Sequence, residues 1–595
     1  MKRKLLSIVL AATMIATALV GCGSSGSGNA SGSASPEAAS AEATAELPSA
    51  PTDQGEPVYG GTLNLYYTSD IDAYFDPAIG DTVCYNLFLE GLWSYDETSG
   101  FAAASDNIPA SSLQGQLAAS WEADEEAKTL TVTLRDDVYF QKLDDAYDYY
   151  GGRQLVANDV KWSYDRLCGT GSGYDEPMET ESNWAGNLNM LESVEAPDDT
   201  TVIFHLTSAD EVTVANFMQQ FVKIGGPEWD TLTDEQKADF HYACGTGPYM
   251  LTGFEAGQKV ELTKNEDYYD TDERYPENKL PYLDGITFTY IADSTNIVTQ
   301  FTSGGIDVFG SNRANLVNDS EAQQIASAMA DYYVVPLSSA NPEYLAMKCN
   351  QEPFNDIRVR EAMQHAINMQ EIHTEFLQLG GEPELSGLWN PTTSEWSTVD
   401  TWDQEVVDSY AYDPEKAKAL LEEAGYADGF EFTVVISADN NADLWVLAQE
   451  YWNAIGVTMN IETVDNFMEA KTIGTDSADA RNTGSSGCGA VSSIQAAINQ
   501  TVDGGWASSL WNEDAEYNAM LESMGTATTL EDQAEYAKDA DLHYAQQHWT
   551  VNLTGMRVLN FYYNNRVAGI PEGCSMYSGK AANTLISHTW VTDGQ

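Results

Sequence analysis

Asp413-Pro414-Glu415-Lys416-Ala417-Lys418-Ala419-Leu420-Leu421-Glu422-Glu423-Ala424-Gly425 opens the stretch that decides the fold, which runs on to Val464. Asp413 is a residue type that accepts a hydrogen bond at a helix start, and Pro414 fits the first helical position. Ala417, Leu420, Leu421 and Ala424 recur at helical spacing, and Gly425 is placed to end the helix. Phe432, Val434 and Ile436 then alternate as a strand. Leu444, Leu447, Ala448, Tyr451, Trp452 and Ile455 form a second helical face, closed by Gly456. Val457, Met459 and Ile461 alternate as a second strand. A helix-strand-helix-strand order predicts a layered α/β lobe with right-handed crossovers. Ligands of such lobes sit in a crevice beyond the strand ends.

Outward from this block the pattern stays mixed. Gly60 to Tyr67 reads as a strand, and so does Thr129 to Leu134, with Leu130, Val132 and Leu134 on one face. A further helix starts near Asn355 or Asp356, with Val359, Ala362, Met363, Ala366 and Ile367 as its apolar face. No short internal repeat is present. The 538 residues after Pro57 can bury a large core and suit two or three domains. Many of the chain's 14 Trp and 32 Tyr must be core, but such numbers also suit a cleft lined by flat, amphipathic rings.

The start of the chain is an export signal. Lys2, Arg3 and Lys4 precede an uncharged apolar run, Leu5 to Val20, and the small Gly21 stands before Cys22. The run is too short for a stable membrane-spanning helix, which needs about 20 residues. Leu19-Val20-Gly21-Cys22 resembles a bacterial lipobox, which implies cleavage before Cys22 and a lipid on its thiol; the alternative is an ordinary signal with a chance cysteine. From Gly23 to Pro57 no aromatic residue occurs, and Ser, Ala, Gly and Pro dominate. Such a segment cannot offset its ordering entropy and is expected to be a disordered tether, reaching about 30–35 Å.

The formal charge is -65. Loss of residues 1–21 removes three basic and no acidic residues, leaving -68. Phosphate backbones repel such a surface, so nucleic-acid binding is excluded as a function class. No second stretch is apolar enough to cross a membrane. Cys84, Cys168, Cys244, Cys349, Cys488 and Cys574 contain no Cys-x-x-Cys pair, so zinc and redox sites have no support. Six cysteines allow 15 disulfide pairings, and buried free thiols are the alternative.

Enzyme motifs are missing. There is no His-Glu-x-x-His, no Gly-x4-Gly-Lys-Ser/Thr and no Gly-x-Ser-x-Gly. Gly169 to Gly173 reads as a loop. His543 and His548, or His365 and His373, are spaced wrongly for one metal and read as surface or singly bonded core residues. The acidic clusters at Asp144-Asp145 and Asp267 to Glu273 lack calcium-loop spacing and read as solvated loops.

Four sets of segments, in order, resemble the family 5 extracellular solute-binding proteins, the peptide and nickel receptors of ABC importers. The first set is Gln116 to Glu122, Leu134-Arg135-Asp136-Asp137-Val138-Tyr139-Phe140 and Asn158 to Ser163. Next come Gly245-Thr246-Gly247-Pro248-Tyr249 with Asn265-Glu266-Asp267-Tyr268-Tyr269, then Pro353 to Ala362, then Tyr412 through Gly425. The match covers roughly 58–595. It implies an α/β, two-lobed periplasmic-binding-protein-like fold, of the class with two crossover segments, plus an extra subdomain on the first lobe. Lobe I is then 58–95, 226–331 and 553–595, the extra subdomain 96–225 and lobe II 332–552, behind a signal peptide (1–21) and a tether (22–57).

The resemblance implies a membrane-anchored receptor that captures an oligopeptide between its lobes and delivers it to ABC permease subunits outside the cytoplasmic membrane. No cofactor, metal or catalysis is expected, and a monomer is. Tyr67 and Ser69, after the first strand, match positions near the family's cleft. So do Trp389, Trp396 and Arg481, the last on a loop running to Cys488. Core packing is the alternative for the two Trp residues, and a surface charge for Arg481. Two departures matter. The second-lobe loop Asp479 to Gly489 lacks the Asp-Pro pair common in peptide-binding members, and no Arg occurs between Arg360 and Arg481 to take a terminal carboxylate. An oligosaccharide or other small solute is therefore a second expectation, and a surface hydrolase a distant third.

Overall fold

A computed structural model describes residues 48–49, 51, 54–68, 75–77, 83–95, 113–178, 188–218, 222–310, 319–340, 343–377, 382–385, 387, 399–437, 442–464, 480–484, 514–555, 557–571 and 582–592. All of these lie in the unit Leu47–Gln595; the other unit, Met1–Glu46, lies outside them. Cys22, the signal and most of the tether are therefore also outside them.

The deciding stretch folds as it reads. Asp413 accepts a 2.9 Å hydrogen bond from Lys416 N and opens the helix Pro414–Glu423. The strands Phe430–Ser437 and Val457–Val464 pair in parallel, Phe430 opposite Val457, with the helix Ala442–Ala454 between them. Gly425 and Gly456 take positive φ after their helices, at 92° and 89°. Asp356 caps the helix Ile357–His365. Phe432, Val434, Trp445, Trp452, Val359 and Met363 meet in one core.

These strands belong to a five-stranded sheet in the order Val457–Val464, Phe430–Ser437, Ala480–Gly484, Glu343–Met347, Thr550–Asn552. A four-stranded sheet orders Thr62–Tyr67, Gly285–Tyr290, Lys259–Lys264 and Tyr249–Glu255. Leu63, Leu65 and Tyr67 point with Ile286 and Phe288 into one core, while Tyr66 turns to a second with Ile297, Phe301 and Tyr562. Another four-stranded sheet, entirely antiparallel, holds Ala118–Asp124, Thr129–Leu134, Thr201–Leu206 and Leu191–Glu195. Leu130, Val132 and Leu134 are buried on its inner face with the helix Ala157–Cys168.

A three-stranded sheet, Val308–Phe309, Arg557–Asn564 and Tyr332–Ala340, stands where the chain changes sheets. The buried Asp307 carboxylate ties it to the four-stranded sheet, accepting from Asn64 N at 2.8 Å and Arg566 Nη1 at 3.1 Å. The chain leaves Tyr332–Ala340 to enter the five-stranded sheet at Glu343–Met347. It returns from Thr550–Asn552 to Arg557–Asn564. The two passages are bonded to each other: Leu553 N donates to Glu343 O at 2.9 Å, and Glu343 N to Thr554 Oγ1 at 3.0 Å.

One expectation is corrected. The tether is not free to Pro57. Pro48 O accepts from Val334 N at 2.7 Å, and Gln54 Oε1 accepts from Gly569 N and Ile570 N at 2.7 and 3.0 Å. A backbone hydrogen bond holds Pro48, and the side-chain amide of Gln54 holds the segment further on. The cysteine question is answered for four residues: Cys84, Cys168, Cys244 and Cys349 carry no disulfide. Cys488 and Cys574 lie outside the described residues. No described helix is long and apolar enough to cross a membrane.

Candidate functional site

Of the cleft residues expected from sequence, Tyr67 is the one whose side chain is described. It ends the strand Thr62–Tyr67, pairs with Tyr290 in register, and packs its ring on Tyr290 with centroids 5.5 Å apart. Its carbonyl accepts from Ile291 N at 2.9 Å. It is 9% exposed, so it stands at the rim of the core. Ser69, Trp389 and Trp396 lie outside the described residues. Arg481 is not on a loop: Ala480–Gly484 is a strand, parallel to Phe430–Ser437 and antiparallel to Glu343–Met347, with Arg481 opposite Ala346. The five residues carry no alternating apolar pattern, so pairing on both edges, not local propensity, makes this strand. Tyr67 and Arg481 thus sit on different sheets.

One of the segment sets that carried the resemblance, Gly245–Tyr249 with Asn265–Tyr269, meets Leu87–Glu90. Gly247 N donates to Phe88 O, and Tyr249 N to Leu87 O, both at 3.0 Å. The contact is backbone on backbone: a Cβ at Gly245 would lie 2.0 Å from Phe88 O. Gln141 fastens the same turn from behind, its Nε2 donating to Gly247 O and Tyr249 O at 2.9 and 2.7 Å. Glu90 is fully buried beneath it. Its carboxylate accepts from Thr246 Oγ1 and the Tyr268 hydroxyl, both at 2.8 Å, and from the Tyr269 hydroxyl at 3.1 Å. Burial pushes the Glu90 carboxyl up to about 7, against the pull of those three donors. Sequence reading missed Glu90; the signal was a lone acid inside the apolar run Leu87-Phe88-Leu89-Glu90-Gly91-Leu92.

Above this network lies a polar cavity of about 280 Å³, walled by Ser94, Gln114, Arg135, Asp270, Glu273 and His588 among others. Arg135 rests its guanidinium 4.5 Å above the Tyr269 ring and reaches Asp270 at 3.6 Å. The acidic run Asp267 to Glu273 is therefore not a solvated loop. Asp272 is fully buried in a two-stranded sheet, Thr271–Asp272 with Tyr275–Lys279. Its carboxylate accepts from Arg274 Nε at 3.0 Å, Arg274 Nη2 at 2.9 Å and the Tyr282 hydroxyl at 2.9 Å. A buried carboxylate needs such partners, and they come from Arg274, just past the run, and from Tyr282. These surfaces can hold and orient a polar ligand.

The family model for bacterial extracellular solute-binding proteins, family 5 Middle, matches residues 112–518. Heme-binding protein A of Haemophilus influenzae is 26% identical over 416 residues, 67% of this chain and 70% of that protein. Di/tripeptide-binding protein 1 of Pseudomonas aeruginosa is 26% identical over 363 residues, 59% of this chain and 63% of that one. In three dimensions the chain is similar to the periplasmic binding protein DppA of Helicobacter pylori in complex with the peptide STSA. There the TM-score is 0.69 at 20% identity, covering 90% of this chain and 98% of that one. The fold is accordingly the two-lobed α/β fold of periplasmic binding proteins. With its model matched across more than half of the sequence, the chain belongs to the family 5 bacterial extracellular solute-binding proteins.

Proposed function

We propose that this chain is the lipid-anchored receptor of an ABC importer and captures an oligopeptide between two lobes. The observation that carries the reading is the pair of chain passages between sheets, held side by side by Glu343, Leu553 and Thr554. Two short, mutually bonded connections are the form a hinge takes when two lobes close on a ligand. Closure expels water and strengthens each polar contact to the ligand. The closed form is then the one a permease recognises, so ligand acts by shifting a population. The lobes proposed are 58–95, 226–340 and 553–595 for lobe I, 96–225 for its extra subdomain and 341–552 for lobe II; the bound expected at 331/332 moves to the first passage because Tyr332–Ala340 pairs with Arg557–Asn564. Tyr67, Ser69, Trp389, Trp396 and Arg481 are the proposed ligand contacts, with main-chain pairing supplying affinity for a peptide of varied sequence.

The peptide reading rests on the relatives and neighbours named for peptides. A non-peptide solute is the second reading. It is favoured by the missing Arg between Arg360 and Arg481 and by a relative named for heme. Thermal shift of the purified protein against peptide and glycan libraries separates the two. Ligand at 100 times its Kd adds about 2.7 kcal/mol of stability. A peptide hit is expected; a glycan hit with no peptide hit overturns the peptide reading, and turnover of either would make the chain a hydrolase.

Anchoring is proposed at Cys22. The 25 residues from Gly23 to Leu47 would span about 25–30 Å as a flexible coil before Pro48 is fastened to Val334. Cys22→Ser is expected to leave the folded body intact and free of the membrane fraction. Continued sedimentation with membranes would refute the lipid anchor.

A further inference from the structure

The cavity above Glu90 carries a feature that peptide capture does not use. The ligand atoms of Asp272, Glu273 and His588 lie within 4.8 Å of one another. His588 Nε2 stands 2.9 Å from Glu273 Oε2. Its other ring nitrogen, Nδ1, is 3.3 Å from Ser587 Oγ. In the tautomer with its proton on Nδ1, donated to Ser587, Nε2 offers a lone pair; in the other, Nε2 donates to Glu273 Oε2, and a cation would take that proton's place. Two lone pairs at that distance repel unless a proton or a cation lies between them. A hydrogen-bonded second nitrogen is also how proteins orient a metal-binding imidazole. Ligand atoms bound at about 2.0–2.1 Å to one zinc stand roughly 3.3 Å apart, which lies inside the span found here.

The surroundings suit a cation that keeps some of its water. Glu273 and His588 both line the cavity, and its volume of about 280 Å³ leaves room for several waters at roughly 30 Å³ each. Glu273 is half exposed and can turn to a metal, while the His588 ring is 7% exposed and fixed. Arg274 holds the His588 carbonyl at 2.9 Å, so the imidazole has a rigid base. Asp270, Asp272 and Glu273 supply three negative charges, against Arg135 and Arg274, each already bonded to a carboxylate. Asp272 is occupied by Arg274 and Tyr282, so its part is to add negative charge behind the two inner ligands. Imidazole with carboxylate favours a borderline transition cation over calcium or magnesium, which prefer oxygen alone.

The geometry points to a binding site for one divalent transition-metal ion on His588 Nε2 and the Glu273 carboxylate, completed by water from the cavity. None of the residues proposed to contact the transported solute lines it. A bound ion would join the strand pair Thr271–Lys279 to the end of the C-terminal helix Ala582–Ser587, and so pin the last described segment of the chain.

The test uses the full-length chain without a histidine tag, loaded with zinc in excess magnesium and calcium so that its many surface carboxylates are saturated. One zinc per chain is expected to survive gel filtration and to raise the melting temperature. Cobalt in its place should give a visible absorption band from the nitrogen-ligated ion. His588→Ala should abolish both signals, and Glu273→Gln should weaken binding at least 10-fold. Ser587→Ala, which removes only the orienting hydroxyl, should weaken it by about 10-fold. Equal zinc uptake by the wild type and Glu273→Gln, or no uptake by the wild type, overturns the site. Since Glu273 is exposed, that variant decides the matter even where His588→Ala fails to fold.

Discussion

Glu90, beneath the Gly245–Tyr249 turn, and His548, after the helix Leu530–Gln547, are both enclosed ionisable groups, and they answer to pH in opposite directions. Around Glu90 stand Thr246, Tyr268 and Tyr269 as donors, with Asp270 adding repulsion; burial outweighs the donors and pushes the carboxyl up to about 7. Around His548 stand Tyr410, whose ring centroid is 4.8 Å away, and the charges of Glu361, His365, Arg360 and Lys416. Its Nδ1 is buried without a hydrogen-bond partner among the described residues. Burial, with the three positively charged or ionisable neighbours, depresses it to about 3, against Glu361. Glu361 itself is held down to about 2, chiefly by His365 and then by Lys416. Enclosure favours the neutral form in both places, so the acid is raised and the base lowered.

The signs follow from linkage. Glu90's folded value lies above its unfolded one, so its contribution is fully present below about pH 4.5 and is lost as pH rises through about 7. His548's folded value lies below its unfolded one, so its contribution is present above about pH 6.5 and is lost as pH falls toward about 3. One core is favoured by acid and the other by neutral solution. Their opposed slopes should give the body a stability maximum between the two limbs, near mildly acid pH.

The largest effect that sharpens this contrast comes from removing the acceptor at Glu90. Glu90→Leu leaves three buried hydroxyls facing an apolar side chain, at about 1–3 kcal/mol each. A loss of roughly 3–6 kcal/mol in urea unfolding at neutral pH is expected, with the Gly245–Tyr249 turn released from Leu87–Glu90. Glu90→Gln keeps an acceptor and cannot ionise. It should therefore be at least as stable as the wild type at pH 7 and should remove about 3 kcal/mol of the wild type's decline between about pH 4 and 7. An unchanged decline in Glu90→Gln would mean that Glu90 is not the group responsible.

The same contrast marks what could be read in the sequence. Elements whose burial follows one face were legible. Asp413 caps its helix, Phe432, Val434 and Ile436 share one core with Val435 buried as well, and Leu130, Val132 and Leu134 share a face. Elements made by distant pairing were not. Ala480–Gly484 is a central strand only because two others flank it, and Tyr332–Ala340 carries Pro336 within a ladder to Arg557–Asn564. The sites were less legible still. Glu90 draws its partners from 156 to 179 positions away in the sequence, and His588 meets Glu273 across 315. No local spacing encodes such meetings. An acidic run that reads as solvated can then be a buried anchor, as Asp272 is.

The smaller effect, on the acid side, breaks or keeps the other half of the comparison. His548 closes its helix in the left-handed region, with φ of 47°, which Asn tolerates and a β-branched residue does not. His548→Asn loses the contact with Tyr410 and should cost about 1–2 kcal/mol at neutral pH. It also removes a base that the folded chain cannot protonate above about pH 3. Between pH 7 and 5 the wild type loses about 2 kcal/mol through this residue, and the variant does not. The two stabilities should therefore converge by about pH 5 in urea titrations. A gap that stays constant over that interval would place the acid limb on other groups, with Glu361 excluded as well, since its own loss begins only below about pH 4.5.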